Sequence, residues 1–238
     1  MNERDPRIVA IIPARHGSVG LPRKNIADLG GVSLTARAVR SAKALDALSA
    51  VVVTSDSPDI LAIAEAEGAV AIPRPIEIAG SSSKIEDTIK HTLMTLEDIG
   101  HGKFDTFCIF EPTSPLRRKE TLLRCFEKYY SAEAEALITV CASTENFGRL
   151  RTDGKFVGLD PGIARRRQER EPLFKEAGVI YIRDVEAFQR EQVVIPNEPT
   201  AYIVLPEEAI DINTQIDLDL ARALLDICGD PLRDVAHV

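Results

Sequence analysis

The chain has no tryptophan and only 5% aromatic residues. It therefore offers no stacking platform for unpaired bases. Its four cysteines, Cys108, Cys125, Cys141 and Cys228, form no CxxC pair. That spacing excludes a zinc ribbon or a thioredoxin-type redox motif, and the thiols are expected to be buried and reduced. No stretch approaches the ~20 apolar residues of a membrane span. The N-terminal MNERDPRIVAIIPAR has too short an apolar run, preceded by acidic residues, to read as a secretory signal. The expectation is a soluble cytoplasmic protein. The formal net charge of −8 argues against general nucleic-acid binding, so any anion site must concentrate its cations locally. The Walker A pattern GxxxxGK[ST], the dinucleotide pattern GxGxxG and the hydrolase elbow GxSxG are all missing. The four histidines lack HxH or HxxxH spacing. No DxD closes a middle strand, which disfavours a glycosyltransferase.

What is present is a core-forming fraction, 45% apolar, in a length suited to one α/β domain. Strand-like and helical patterns alternate. Strands are expected at 7–13, 50–55, 69–72, 104–110 and 136–141. Ser33 can cap a helix to about Leu45. Ser57-Pro58 opens another that ends near Gly68. Ser83 with Glu86 reads as a capping box for a helix to Glu97, and 119–130 as a further helix. Such alternation predicts a Rossmann-like three-layer fold with a mostly parallel sheet, whose C-terminal edge is the usual ligand site. The rhythm breaks after Ala142. A hairpin is expected around Asp153-Gly154, then a basic irregular stretch 161–175, strands at 177–182 and 201–205, and a last helix from about Asn213 to Ile227. A small inserted lobe is placed at 142–190 of a single domain, 1–238.

The loop after the first strand runs Ala14-Arg15-His16-Gly17-Ser18-Val19-Gly20-Leu21-Pro22-Arg23-Lys24-Asn25. Its glycines allow close backbone approach, and Arg15, Arg23 and Lys24 bring charge to a strand end that can cradle a triphosphate. Ile12-Pro13-Ala14-Arg15, Gly17-Ser18 and Leu21-Pro22-Arg23-Lys24-Asn25 together resemble the nucleotide loop of the acylneuraminate cytidylyltransferases. Three further segments resemble that family in order and spacing: Glu111-Pro112-Thr113-Ser114-Pro115-Leu116-Arg117, Gly178-Val179-Ile180-Tyr181-Ile182 and Ile210-Asp211-Ile212-Asn213-Thr214.

The resemblance implies a cytidylyltransferase that moves CMP from CTP to the anomeric hydroxyl of a nonulosonic, sialic-type acid. It places Arg15, Ser18, Lys24, Asn25, Arg74 and Ser83 on the nucleotide, with Arg15, Lys24 and Asp211 in catalysis. It places Glu111, Arg167, Lys175 and Tyr181 on the sugar, and Asp211 and Asn213 on Mg²⁺. The lobe would build a homodimer, with no nucleic acid or membrane as partner. Four positions depart from the family pattern: Val19 and Lys175 stand where lysine and arginine are common, Glu111 where glutamine is, and Asn213 where a second aspartate is. Two alternatives remain open. One is a sister nucleotidyltransferase for another nucleotide or a Kdo-like sugar, and the other a catalytically weak nucleotide-binding regulator. Capping is the plain structural role for Ser83, Thr113, Ser114 and Asn213.

Overall fold

The computed structural model describes residues 6–17, 20–160, 162 and 166–233. Ser18, Val19 and Arg165 lie outside them.

Strand β1 (Ile8–Pro13) is apolar at every position and buried on both faces. Its alternate side chains therefore seed two separate cores. A short hairpin, β2 (Asp28–Leu29) and β3 (Val32–Ser33), leads to α1 (Leu34–Lys43), whose Ala36 N–H is capped by the Ser33 hydroxyl. Then come β4 (Ala50–Ser55), α2 (Pro58–Ala66), β5 (Val70–Pro73), α3 (Ile85–Asp98), β6 (Thr106–Ile109), α4 (Lys119–Ser131) and β7 (Ala136–Ser143). The hairpin β8 (Gly148–Leu150) and β9 (Phe156–Gly158) follows, then the long β10 (Leu173–Asp184), α5 (Val185–Glu191), β11 (Thr200–Ile203) and α6 (Gln215–Cys228).

The main sheet has the order β11-β7-β10-β6-β1-β4-β5, and only β10 runs antiparallel to its neighbours. Ile8, Ala10 and Ile12 pack with α1, α2 and α4 through Val39, Ile60 and Phe126. Val9 and Ile11 pack against Ile89 and Leu96 of α3 and Phe188 of α5. These are the three layers expected from the sequence. A third cluster, Leu29, Leu34, Leu116, Ile212 and Leu218, docks α6 across the top. Successive strands leave β1 toward β4 on one side and return to β6 on the other. The loops after β1 and β6 therefore face one another at a switch point of the kind where α/β folds bind ligands.

Several local expectations change. Ser83 and Glu86 form no capping box. Lys84 precedes α3 without a side-chain cap, and Glu86 Oε1 accepts instead from the Val194 N–H at 3.3 Å. Glu208, not Thr113 or Ser114, satisfies the start of α4, accepting from the Arg118 N–H and the Thr121 hydroxyl. Thr214 caps α6 in a reciprocal capping box with Asp217, where Asn213 had been the candidate. Strand β10 begins at Leu173, within the stretch expected to be irregular, and continues through the strand expected at 177–182 as part of the main sheet; helix α5, opened by Asp184, was not expected. Cys108, Cys125 and Cys141 are buried, but Cys228 is exposed at the end of α6, beside the likewise exposed Ile227.

Candidate active site

Loops from four strands line a cleft of about 480 Å³ at the C-terminal edge of the sheet. Arg15, Gly20, Lys24 and Asn25 come from the loop after β1, and Arg74 from the end of β5. Glu111 and Thr113 follow β6, and Asn213 and Thr214 precede α6.

The first loop is braced from inside. Asn25 is buried and donates from Nδ2 to the Arg15 carbonyl at 2.8 Å, while its own carbonyl accepts from the Thr35 hydroxyl. The His16 N–H bonds Asp56 at 2.7 Å. A Cβ placed on Gly20 would lie 2.4 Å from the Asn213 carbonyl oxygen, so only glycine lets this loop close on the segment before α6. That approach joins parts of the chain nearly two hundred residues apart. Lys24 Nζ donates to Asn213 Oδ1 at 2.8 Å, and Asn213 Nδ2 donates to Asp211 Oδ2 at 2.6 Å. Asp217 holds the backbone at this point, accepting from the Asn213 and Thr214 N–H groups, and those bonds keep its carboxyl below the usual range.

Charges of both signs share the space. Burial lowers the Lys24 pKa, while Asp211 and Glu111 pull it back up and Arg15 presses it down. Arg74 is buried, donating to the Thr54 carbonyl at 2.8 Å and to the Thr88 hydroxyl at 3.4 Å. Burial lowers its pKa as well, with Asp56 opposing. Its Nε has no partner among the described residues and is the kind of buried donor that a ligand acceptor satisfies.

Beneath Glu111 the sheet is interrupted. The register of β10 against β7 slips between Ala177 and Tyr181, so 178–180 bulge out of the ladder. Arg117, fully buried, supplies the missing donors. Its Nε bonds the Val179 carbonyl at 2.5 Å, and its Nη2 bonds the carbonyls of Gly178 and Glu111. A Cβ on Gly178 would stand 2.6 Å from Glu111 Oε2, so glycine makes room for this carboxyl. Burial, then the neighbouring Asp211, push the Glu111 pKa up to about 7, against the pull of Arg117. Tyr181 sits nearby and donates to Glu176 at 2.7 Å. Burial and Glu111 raise its pKa.

The raised value gives a testable stability profile. The folded state binds the Glu111 proton more tightly than the unfolded chain, whose carboxyl titrates near 4.5. This contribution is complete below pH 4.5 and is lost as pH rises through about 7. Glu111→Gln is expected to stabilise the protein by about 1–2 kcal/mol at pH 8, and by little at pH 4.5. Urea unfolding at the two pH values measures this. Equal effects at both would refute it.

The remaining candidates divide. Ser83 lines the cleft, with its hydroxyl 3.5 Å from the Glu77 carbonyl. Asp211 is exposed and does not itself line the cleft, but it accepts from Asn213, which does. Arg167 and Lys175 do not line the cleft of their own chain. Arg167 is held by the Thr144 hydroxyl at 2.5 Å and by Glu145 at 3.0 Å, and Lys175 is exposed on β10. Asp56, Thr88, Arg117 and Asp217 were not singled out from sequence. Of these, Arg117 closes the quoted Glu111–Arg117 segment without having been given a role, and Asp217 had a local signal in the Thr-x-x-Asp spacing of a capping box.

A three-layer α/β fold with cations gathered at its switch point defines an α/β protein of Rossmann-like type with a cleft suited to an anionic ligand. A solved CMP:2-keto-3-deoxy-manno-octonic acid synthetase complexed with CTP shares that fold, with a TM-score of 0.68 at 18% identity over 93% of this chain and 99% of its own. The family model described as cytidylyltransferase matches residues 9–214, and the chain belongs to that family. A CMP-N,N'-diacetyllegionaminic acid synthase of Legionella pneumophila is 30% identical over 95% of this chain and 99% of its own length. An N-acylneuraminate cytidylyltransferase of Escherichia coli is 29% identical over 90% of the chain, which spans about half (51%) of that protein.

Proposed function

We propose that this protein transfers CMP from CTP to the anomeric hydroxyl of a nonulosonic acid and releases pyrophosphate. The observation that carries this reading is the hydrogen-bonded run Lys24–Asn213–Asp211 beside Arg15, at the edge of a cleft floored by Arg74. Relatives whose names specify CMP transfer to sialic and legionaminic acids support it.

In the proposed reaction the sugar hydroxyl oxygen attacks the α-phosphorus in line. The bond from α-phosphorus to the bridging oxygen breaks, pyrophosphate leaves, and the hydroxyl proton passes to solvent. Arg15 and Lys24 neutralise phosphate oxygens, and Lys24 leaves Asn213 to do so. Arg74, Ser83 and the adjoining Gly80-Ser81 backbone hold the cytidine, and Asn25 shapes the loop. Asp211 suits a divalent cation such as Mg²⁺. Its carboxylate is exposed, and no described residue bonds its Oδ1. Mg²⁺ is commonly held by one or two carboxylates, with phosphate and water completing the set. Asn213 Oδ1, which here accepts from Lys24, would be a second oxygen ligand for such an ion if Lys24 turned to phosphate. The ion would add charge neutralisation at the phosphates.

Glu111 and Tyr181 are assigned to the sugar end. We place Arg167 and Lys175 there too, but in the partner's cleft of a homodimer built by the 142–190 lobe. The lobe exposes Phe147, Leu150, Phe156, Val157, Leu159 and Phe174, an apolar surface of the kind that marks an interface. Leu150→Asp with Phe156→Asp is expected to give monomers by light scattering and to lower turnover at least about ten-fold. Monomeric wild-type protein at full activity would contradict the shared site. The cytoplasm is the proposed location.

The functional test is pyrophosphate release with CTP and a panel of sialic, legionaminic, pseudaminic and Kdo-type acids, with GTP and UTP as controls. Release that needs CTP and one nonulosonic acid supports the reading. CTP binding without release for any acceptor would replace it with that of a regulatory homologue.

A further inference from the structure

Arg23 sits between Pro22 and Lys24 in a conformation arginine seldom adopts. Its φ of 55° and ψ of 29° are left-handed, a region where a side chain crowds its own carbonyl. Two other described non-glycine residues share a positive φ, Glu133 and Gln192. Both follow helices, at α4 and α5, where such a conformation commonly ends the element. Arg23 follows no helix. It opens the short turn Lys24–Ile26 that aims Lys24 at Asn213. Unusual backbone held at a binding loop invites a functional question.

The guanidinium answers to Asp59 in the first turn of α2, Nη2 to Oδ2 at 2.9 Å, and both side chains are more than 60% exposed. An ion pair this exposed contributes little and exchanges readily. On the neighbouring residue, Lys24 crosses the cleft. Of the three cations lining it, Arg74 is anchored by Thr54 and Thr88 and is assigned to the cytidine. Arg15 and Lys24 are left to face a triphosphate, with Glu111 and Asp211 close by to oppose it. Arg23 does not itself line the cleft but directly precedes Lys24, which does, and a cation held there by a weak, exposed partner is one a polyanion can capture.

We propose that Arg23 is a further phosphate-positioning residue. On this view it leaves Asp59 and takes the outer phosphates of the nucleotide, so that Asp59 acts as its resting clamp. The proposal rests on the CTP reading for the nucleotide, but its direct ligand chemistry is a linear polyphosphate.

Three probes test it on the full-length protein by calorimetry at low ionic strength: inorganic tripolyphosphate, CTP and CMP. Arg23→Gly suits the left-handed backbone, so it should fold with a melting temperature equal to or about 2 °C above wild type. It should bind tripolyphosphate and CTP about ten-fold more weakly, with CMP unchanged. Asp59→Asn frees the arginine and should tighten tripolyphosphate about three-fold. Unchanged tripolyphosphate and CTP affinity in Arg23→Gly would overturn the proposal, as would an equal loss for CMP or a wild type that binds no tripolyphosphate. If tripolyphosphate responds as stated while CTP yields no pyrophosphate with any acceptor, Arg23 stands and the cytidylyl-transfer reading fails.

Discussion

Replacing Lys24 by alanine is expected to lower turnover about 10²–10³-fold while moving the melting temperature by only a few degrees. The large kinetic effect follows from position. Lys24 shares the cleft wall with Arg15, and its ammonium lies one hydrogen bond from Asn213 and two from Asp211. Partial burial makes the charge more effective there than at an open surface, and the neighbouring Asp211 and Glu111 oppose the lowering of its pKa by burial. Charge on phosphate oxygens must be met in the transition state, and a fixed cation meets it without reorganising. The small effect on stability follows from its single side-chain bond, at 2.8 Å to the exposed Asn213. Steady-state pyrophosphate release and a thermal melt on the same preparation separate the two effects. A variant with normal turnover would remove Lys24 from the chemistry.

The largest effect on stability should come from Arg117→Met, about 3–5 kcal/mol in urea unfolding. Arg117 is fully buried against the Phe110 ring, 5.3 Å from its centroid, and it is the donor for carbonyls that the bulge in β10 removes from the ladder. Burial lowers its pKa to about 10, so it remains charged at neutral pH. Methionine fills much of the volume but leaves the carbonyls of Val179, Gly178 and Glu111 without that donor, and each such group is costly when buried. The same bonds fix Glu111 on Gly178, so residual folded protein should also lose turnover. A loss below about 1 kcal/mol would mean that water or a rearranged bulge takes over the role of Arg117.

The layered fold could be read in the sequence because its signals are local. The apolar run at 8–13 and Ser33 before α1 each carry their own explanation. The proline at the start of α2 does the same. The direction of β10 could not be read, since nothing within a strand states whether its neighbour runs parallel. Glu86 resembles a capping-box residue until Val194, over a hundred positions away, takes its carboxylate. The cleft's cations were visible in the first loop, and Asp211 in its motif. The contact that unites them was not visible, because it depends on Gly20 lying against Asn213. Nor could the buried charge of Arg117 be foreseen, as its partners are carbonyls exposed by an irregularity in a distant strand. The same holds for Arg37, buried against Asp230.

A double-mutant cycle on Lys24→Met and Asp211→Asn, read as kcat/KM for CTP with a saturating nonulosonic acid, tests most directly whether those two residues serve one triphosphate. If they do, the loss in the double variant should fall short of the product of the single losses by about ten-fold, a coupling of roughly 1–2 kcal/mol. Single losses that simply multiply would place Lys24 and Asp211 in separate sites and contradict the convergence on which the proposed cytidylyl transfer depends.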